Sequence, residues 1–348
     1  MLVRNFKPIT LSALVMLATT GCVSTTKVEN PVDIISNDNY IVQLQDTEIM
    51  PSKSELQGNR SRVVVLPVRN NTKETFESGA IREMSSLIEN SLLGAGVEIV
   101  DRALASSLGD EIVAYEATGK FSGGGVTVAD IAILPSIHNV NVSSSFTPKS
   151  TYTKDGKTKT IPSSCSFKGD ISGNVKIYQL PELSVIDGHA INGSYSNSDI
   201  SNDSRCQFSK EYAATLASKA TAEGVGDVIN KVKNHFRQKG YVVEYRKRDD
   251  DHLVQISIGS ERGLKVGQKI QFTRTLKRTN RLTNETTISV IPYDFEGTVS
   301  ELLEPTNAWI IVDEKAQGQL KFGDGARQFF RDATILEAAG GFVGNLVN

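Results

Sequence analysis

The chain has 348 residues, with 38 Lys and Arg against 40 Asp and Glu and only 7% aromatic residues. Such a balance produces no global field that would steer the molecule to nucleic acid or to an acidic membrane surface. Basic and aromatic residues are not interleaved as single-strand binders require, so no nucleic-acid partner is expected.

Met1 to Gly21 reads as a targeting segment: Arg4 and Lys7 form a basic start, and Ile9 to Ala18 form an apolar run. That run is shorter than the ~20 residues a spanning helix needs. Thr19-Thr-Gly-Cys22 resembles a bacterial lipobox, departing from it at Thr19, where Leu is usual. The plainer alternative is an ordinary signal peptide that happens to contain Cys. The placing of Cys22 directly after a small residue, at the end of the apolar run, favours lipidation. Cleavage before Cys22 would leave 348 − 21 = 327 residues, enough for two domains with separate cores. Several acyl chains on Cys22, at ~0.8 kcal/mol per buried methylene, would hold the protein to a lipid bilayer. Val23 in place of Asp, by resemblance to enterobacterial lipoproteins, implies the outer membrane. Residues 22–58 are polar and are expected to form a flexible tether.

Arg62-Val-Val-Val-Leu-Pro-Val68 is an apolar run of the buried-strand kind. A helix is predicted over Phe76–Leu93, closed by Gly94, then a strand over 97–100 and a helix over 103–115 capped by Asp101. Gly123-Gly-Gly125 leads to a strand from Ala129 through Ile137 to Phe146. Lys154-Asp-Gly-Lys157 is a hairpin signal. Strands are predicted over 167–180 and 183–196, and a long helix from its cap Ser209 to Gln238, kinked at Gly224 and Gly226.

This order of elements resembles the CsgG/HfaB family of outer-membrane assembly lipoproteins. The residues that carry the likeness are Val64-Val-Leu-Pro67, Val97-Glu-Ile-Val-Asp-Arg102, Ala129-Asp-Ile131, Gly173-Asn-Val-Lys-Ile-Tyr178 and Ser184-Val-Ile-Asp187. It covers about residues 62–238, and LpoB and TolB periplasmic domains share the plan. The resemblance implies an α/β (α+β) sandwich domain over 59–239.

From Gly240 the composition changes to short strands punctuated by glycines, at 241–245, 253–258, 269–275, 287–291, 295–302 and 308–312, with Arg246 to Asp251 as a charged turn. The spacing predicts a small all-β barrel over 240–330. Gly263-Leu-Lys-Val-Gly-Gln-Lys269 and Lys321-Phe-Gly-Asp324 resemble turns of the small barrel in FlgT-type flagellar ring proteins. Residues 331–348 form a C-terminal tail.

Besides Cys22 there are two cysteines, Cys165 and Cys206. In an exported chain an even pair reads as a disulfide, which would stabilise by ~4 kcal/mol on loop-closure entropy. Two free buried thiols are the alternative. His138, His189, His235 and His252 show no metal-ligand spacing, and each reads as structural or solvated. Asp249-Asp-Asp251 lacks the pattern of a calcium loop. The glycine run precedes a strand rather than opening a helix, so it is no phosphate cradle. No Gly-x-Ser-x-Gly elbow occurs, and no catalytic residue, cofactor or metal is expected.

The function expected is that of a non-catalytic, lipid-anchored component on the periplasmic face of the outer membrane. It would take part in assembly or secretion, with envelope proteins and copies of itself as partners. A regulator of a cell-wall synthase, similar to LpoB, is the alternative, and an envelope hydrolase would be marked by a deep polar pocket. No membrane pore is expected, because the arms around Asp155-Gly156 and the 196–209 stretch offer no apolar lipid face.

Overall fold

The computed structural model describes residues 28, 30–57, 62–72, 77–100 and 129–332. Cys22, the helix predicted over 103–115, the glycine run at 123–125 and residues 333–348 lie outside them. Two short helices, α1 (Pro31–Ile35) and α2 (Lys53–Gln57), precede the first sheet. That sheet holds β1 (Arg62–Val65), β2 (Arg69–Asn70), β3 (Glu98–Ile99), β4 (Ile131–Thr147), β7 (Ser164–Gln179) and β8 (Ser184–Ile200). Its order is β3-β1-β4-β7-β8, with β2 also on β4. β1 runs parallel to β3 and β4, whereas β4, β7 and β8 form a long antiparallel meander.

β1 is buried on both faces, as its unbroken apolar run predicts. Val63 and Val65 meet the helices, while Val64 and Leu66 join a smaller cluster with Ala132, Leu134 and Tyr178. The strand predicted to Val68 stops early. Pro67 has no N–H for a ladder, and pairing resumes at Arg69 and Asn70 opposite Ser136 and Ile137.

Helix α3 (Glu77–Gly94) turns Ala80, Met84, Ile88 and Leu92 into the core, spaced by four residues. The left-handed residue after it is Gly96, not Gly94 (φ +78°). Helix α4 (Lys210–Asn234) is capped by Ser209, whose side chain accepts the Tyr212 N–H at 3.2 Å. The helix runs unbroken through Gly224 and Gly226. Gly224 serves a close approach instead. A Cβ there would stand 2.9 Å from the Gly193 nitrogen of β8, and one at Gly169 of β7 would meet the Leu216 carbonyl at 2.8 Å.

β5 (Ser150–Lys154) and β6 (Lys157–Ile161) form the expected hairpin around Asp155-Gly156, every strand residue exposed. Asp155 and Gly156 both have positive φ, which the tight turn demands.

The C-terminal region is a closed antiparallel barrel, ordered β10-β13-β12-β11-β14-β9. Its strands are β9 (Lys239–Arg248), β10 (Asp251–Ile256), β11 (Lys269–Thr279), β12 (Thr286–Leu303), β13 (Ala308–Val312) and β14 (Gly325–Gln328). Three details differ from expectation. The charged stretch Arg246–Arg248 continues β9, so the turn narrows to Asp249-Asp250. The strands predicted at 287–291 and 295–302 are one strand, and a register shift opposite Gln271–Thr273 absorbs the extra residues. β14 closes the barrel between β11 and β9.

Residues 30–57 correct the expectation of a flexible tether: they pack on the barrel. Ile34 of α1 is fully buried against Leu253 and Trp309. The Val42 N–H reaches the Tyr245 carbonyl at 2.9 Å, the Thr47 N–H donates to the Phe322 carbonyl at 2.9 Å, and the Phe322 N–H donates to the Gln45 carbonyl at 2.9 Å. Thr47 also donates to the buried Asp324 carboxylate at 3.0 Å. Arg246, 7% exposed, donates to the carbonyls of Ile34 and Asn37 at 3.2 and 3.1 Å. The polar composition concealed this because a few apolar side chains and backbone pairing carry the docking.

Two predictions test this packing. Gly224→Ala should overpack the contact with β8 and cost about 3 kcal/mol, while Gly226→Ala, with nothing near its Cβ position, should gain up to ~1 kcal/mol. Chemical denaturation of both variants checks the contrast, and equal shifts would refute the close approach. The second concerns His252, 3% exposed, whose Nδ1 lies 2.6 Å from the Tyr245 hydroxyl. Burial, and then Lys247, push its imidazole below the ordinary value. The folded state therefore prefers it neutral, so its stability contribution is present above about pH 6.5 and lost as pH falls toward the lower folded value. Melting temperature should fall more steeply on acidification in the wild type than in His252→Asn; parallel curves would refute this.

Candidate functional site

Two clusters of chemistry-bearing side chains lie at the two ends of α4, and only the first was expected from the sequence. At its N-terminal end, Cys165 of β7 and Cys206 of the 201–209 loop are joined by a disulfide, with Cα atoms 5.5 Å apart. Cys206 has a positive φ of 45°, and both cysteines are buried with Phe167 and Leu216. Tyr212 meets the Phe167 ring edge-on at 5.3 Å. The loop is also held by Ser163, whose hydroxyl donates to Asn202 Oδ1 at 2.9 Å. Cys22 lies outside the described residues.

At the C-terminal end, two of the four histidines, which were expected to be structural or solvated, come together with Asp187. Asp187 and His189 stand on one face of β8, beside Ile177 and Val175 of β7. His235, the C-cap of α4, descends onto them. Its Nε2 is 2.6 Å from Asp187 Oδ2, and His189 Nε2 is 3.4 Å from the same oxygen. The ligand atoms of all three lie within 4.8 Å of one another. His189 Nε2 is buried and makes no hydrogen bond, because its approach to Asp187 is out of line. The Gly188 N–H, 2.6 Å from Asp187 Oδ1, and then the two imidazoles hold the Asp187 carboxyl below its usual range. Two imidazole nitrogens and an ionised carboxylate are a donor set for a divalent transition metal. This cluster was not expected from the sequence; the only local signal is that Asp187-Gly-His189 puts two donors on one strand face, while His235 comes after the whole of α4.

His138 is exposed, 3.2 Å from Asn71 Nδ2, and His252 is inside the barrel. A cleft of about 720 Å³ opens between α3 and α4, with Arg82, Glu83, Lys210 and Glu211 along it. Glu83 accepts from the Ser218 hydroxyl at 3.0 Å. These are charged helix ends flanking small residues. No described helix is long and apolar enough to cross a membrane.

No protein-family model matches the chain, and no curated protein does. Among solved structures, the hypothetical protein CT253 from Chlamydia trachomatis is 15% identical, matched over 51% of this chain and 98% of its own, with a TM-score of 0.31. Lipoprotein GNA1162 from Neisseria meningitidis is 12% identical over 50% and 99%, with a TM-score of 0.22. A PelC dodecamer from Paraburkholderia phytofirmans is 11% identical over 51% and 93%, with a TM-score of 0.21. The chain is thus similar, at low scores, to a bacterial lipoprotein, a PelC protein and a hypothetical protein, and that likeness assigns it no activity.

Proposed function

We propose that this chain is a non-catalytic lipoprotein of the outer membrane, held by acylated Cys22, with its folded part in the periplasm. There it would serve as a CsgG-like assembly or secretion component that binds envelope proteins and copies of itself. The observation that carries this reading is the use of the three cysteines. Cys22 ends an apolar export segment, and the other two are joined to each other, as suits an oxidising compartment. The polar, exposed β5–β6 arms support a partner-facing surface rather than a lipid-facing one.

An LpoB-like regulator of a cell-wall synthase would need reach from the membrane. The docking of residues 30–57 on the barrel argues against it. Eight peptide steps from Cys22 to Asn30 span at most about 28 Å. Mass photometry of the lipidated protein separates the two readings, a ring favouring assembly and a monomer favouring the regulator.

Cys22→Ala should move the protein from outer-membrane fractions into the soluble periplasm. Retention through detergent-free washing would refute the anchor. Non-reducing peptide mapping of periplasmic protein should recover Cys165 joined to Cys206, and free thiols at both would remove the argument for export. Replacing the pair with two serines should cost about 2–5 kcal/mol.

A further inference from the structure

We propose that Asp187, His189 and His235 form a binding site for a divalent transition metal ion of the zinc type, joining β8 to the C-terminal end of α4. Three independent features point to a ligand. The first is spacing. Tetrahedral zinc with bonds of ~2.0–2.1 Å holds its ligand atoms about 3.3–3.4 Å apart, and His189 Nε2 already stands 3.4 Å from Asp187 Oδ2. His235 Nε2, at 2.6 Å, has to retreat by only about 0.7 Å to reach that spacing. The His235 side chain is 29% exposed, so solvent rather than packed protein borders part of the ring.

The second is the buried His189 Nε2, which has no hydrogen-bond partner. A buried ring nitrogen is ordinarily satisfied, and a metal bond would satisfy this one. Asp187, by contrast, is already oriented: the Gly188 N–H holds Oδ1 and leaves Oδ2 toward the imidazoles, which is the supporting arrangement metal carboxylates have.

The third is charge. The site lies at the C-terminal end of a 25-residue helix, where the helix dipole favours a cation. The neighbours of Asp187 and His189 across the ladder are Ile177 and Val175, which bring no competing positive charge. Lys233, the nearest lysine along α4, lies over the Phe330 ring at 4.6 Å. Three protein ligands complete a site whose remaining position faces solvent, because Asp187 and His235 are about one-third exposed (36% and 29%). Water would fill it.

The test uses the mature chain without a polyhistidine tag, stripped with chelator. Zinc titration by calorimetry should give one site in the micromolar range, and cobalt should show the intense visible bands of four-coordinate geometry. His189→Ala and His235→Ala should each weaken zinc binding at least about tenfold, while His138→Ala should not. Metal-free melting temperatures of the variants show whether they remain folded. Should either fail to fold, X-ray absorption on the wild-type zinc complex decides, with two imidazoles and one carboxylate oxygen expected. Binding weaker than millimolar, undiminished binding in the two variants, or a shell without two imidazoles would overturn the proposal.

Discussion

The contact on which the rest of the structure depends is between backbones. Helix α4 lies so close to the meander that a Cβ at Gly193 would press into the Ala220 carbonyl, and one at Gly169 into Leu216. Two glycines on adjacent strands thus make a bed for two successive turns of the helix. Small residues on the helix, Ala217 and Ala220, complete the fit and are fully buried. Close packing leaves little freedom to slide or rotate, since interiors respond to even one added methylene. The position of α4 therefore fixes what stands at its ends. Cys206 is delivered to Cys165 before its first turn, and His235 to Asp187 and His189 after its last.

The same backbone logic joins the barrel to the α/β region. Gly96, after α3, and Gly263, in a barrel loop, face each other, both with positive φ, and a Cβ at Gly96 would stand 2.7 Å from the Gly263 Cα. α4 leads directly into β9, and the segment after β14 returns along the helix, where the Phe330 N–H donates to Asn234 Oδ1 at 3.1 Å. Residues Val28–Asp332 accordingly form one compact unit. On the far side of the barrel, Arg246 bears a charge that burial would penalise if it stood alone. It is met by the carboxylates of Glu244 and Asp38, two backbone carbonyls and the Trp309 ring. Glu244 and Trp309 belong to the barrel itself, and residues 34–38 supply the remaining partners when the N-terminal segment is docked.

How much of this was legible in the sequence follows from the range of each interaction. Local periodicity placed α3 and the cap of α4, because Ala80, Met84 and Ile88 repeat with the helix and Ser209 bonds within its own turn. The barrel was legible as a class from its glycine spacing, but β14 was not. Gly-Ala-Arg-Gln has no apolar alternation and becomes a strand only because β9 and β11 leave a gap for it. The docking of residues 30–57 was hidden for the same reason, resting on Arg246 and Trp309 more than two hundred residues away. Gly224 was visible as a helix interruption, and the structure gives it the opposite role, since its missing side chain lets β8 approach. The cluster of Asp187, His189 and His235 escaped notice because spacing rules find neighbours within one element, whereas here a strand supplies two residues and a helix end the third.

These pieces give α4 the character of a beam fastened at both ends. It is about 37 Å long at 1.5 Å per residue, and the covalent link at one end ties its leading loop to β7. At the other end, the Asp187–His235 contact ties its last turn to β8. A disulfide acts on the unfolded chain by closing a loop, while the histidine–carboxylate contact acts only in the folded state, where both partners are in place. The two constraints therefore act on different states of the chain, one on the unfolded and one on the folded. Between them the glycine bed holds the centre of the helix. What this frame carries outward is the β5–β6 hairpin, whose strand residues are all exposed. A rigid support with an exposed two-stranded arm can present the arm to a partner at low entropic cost, because little of the support has to be ordered on binding.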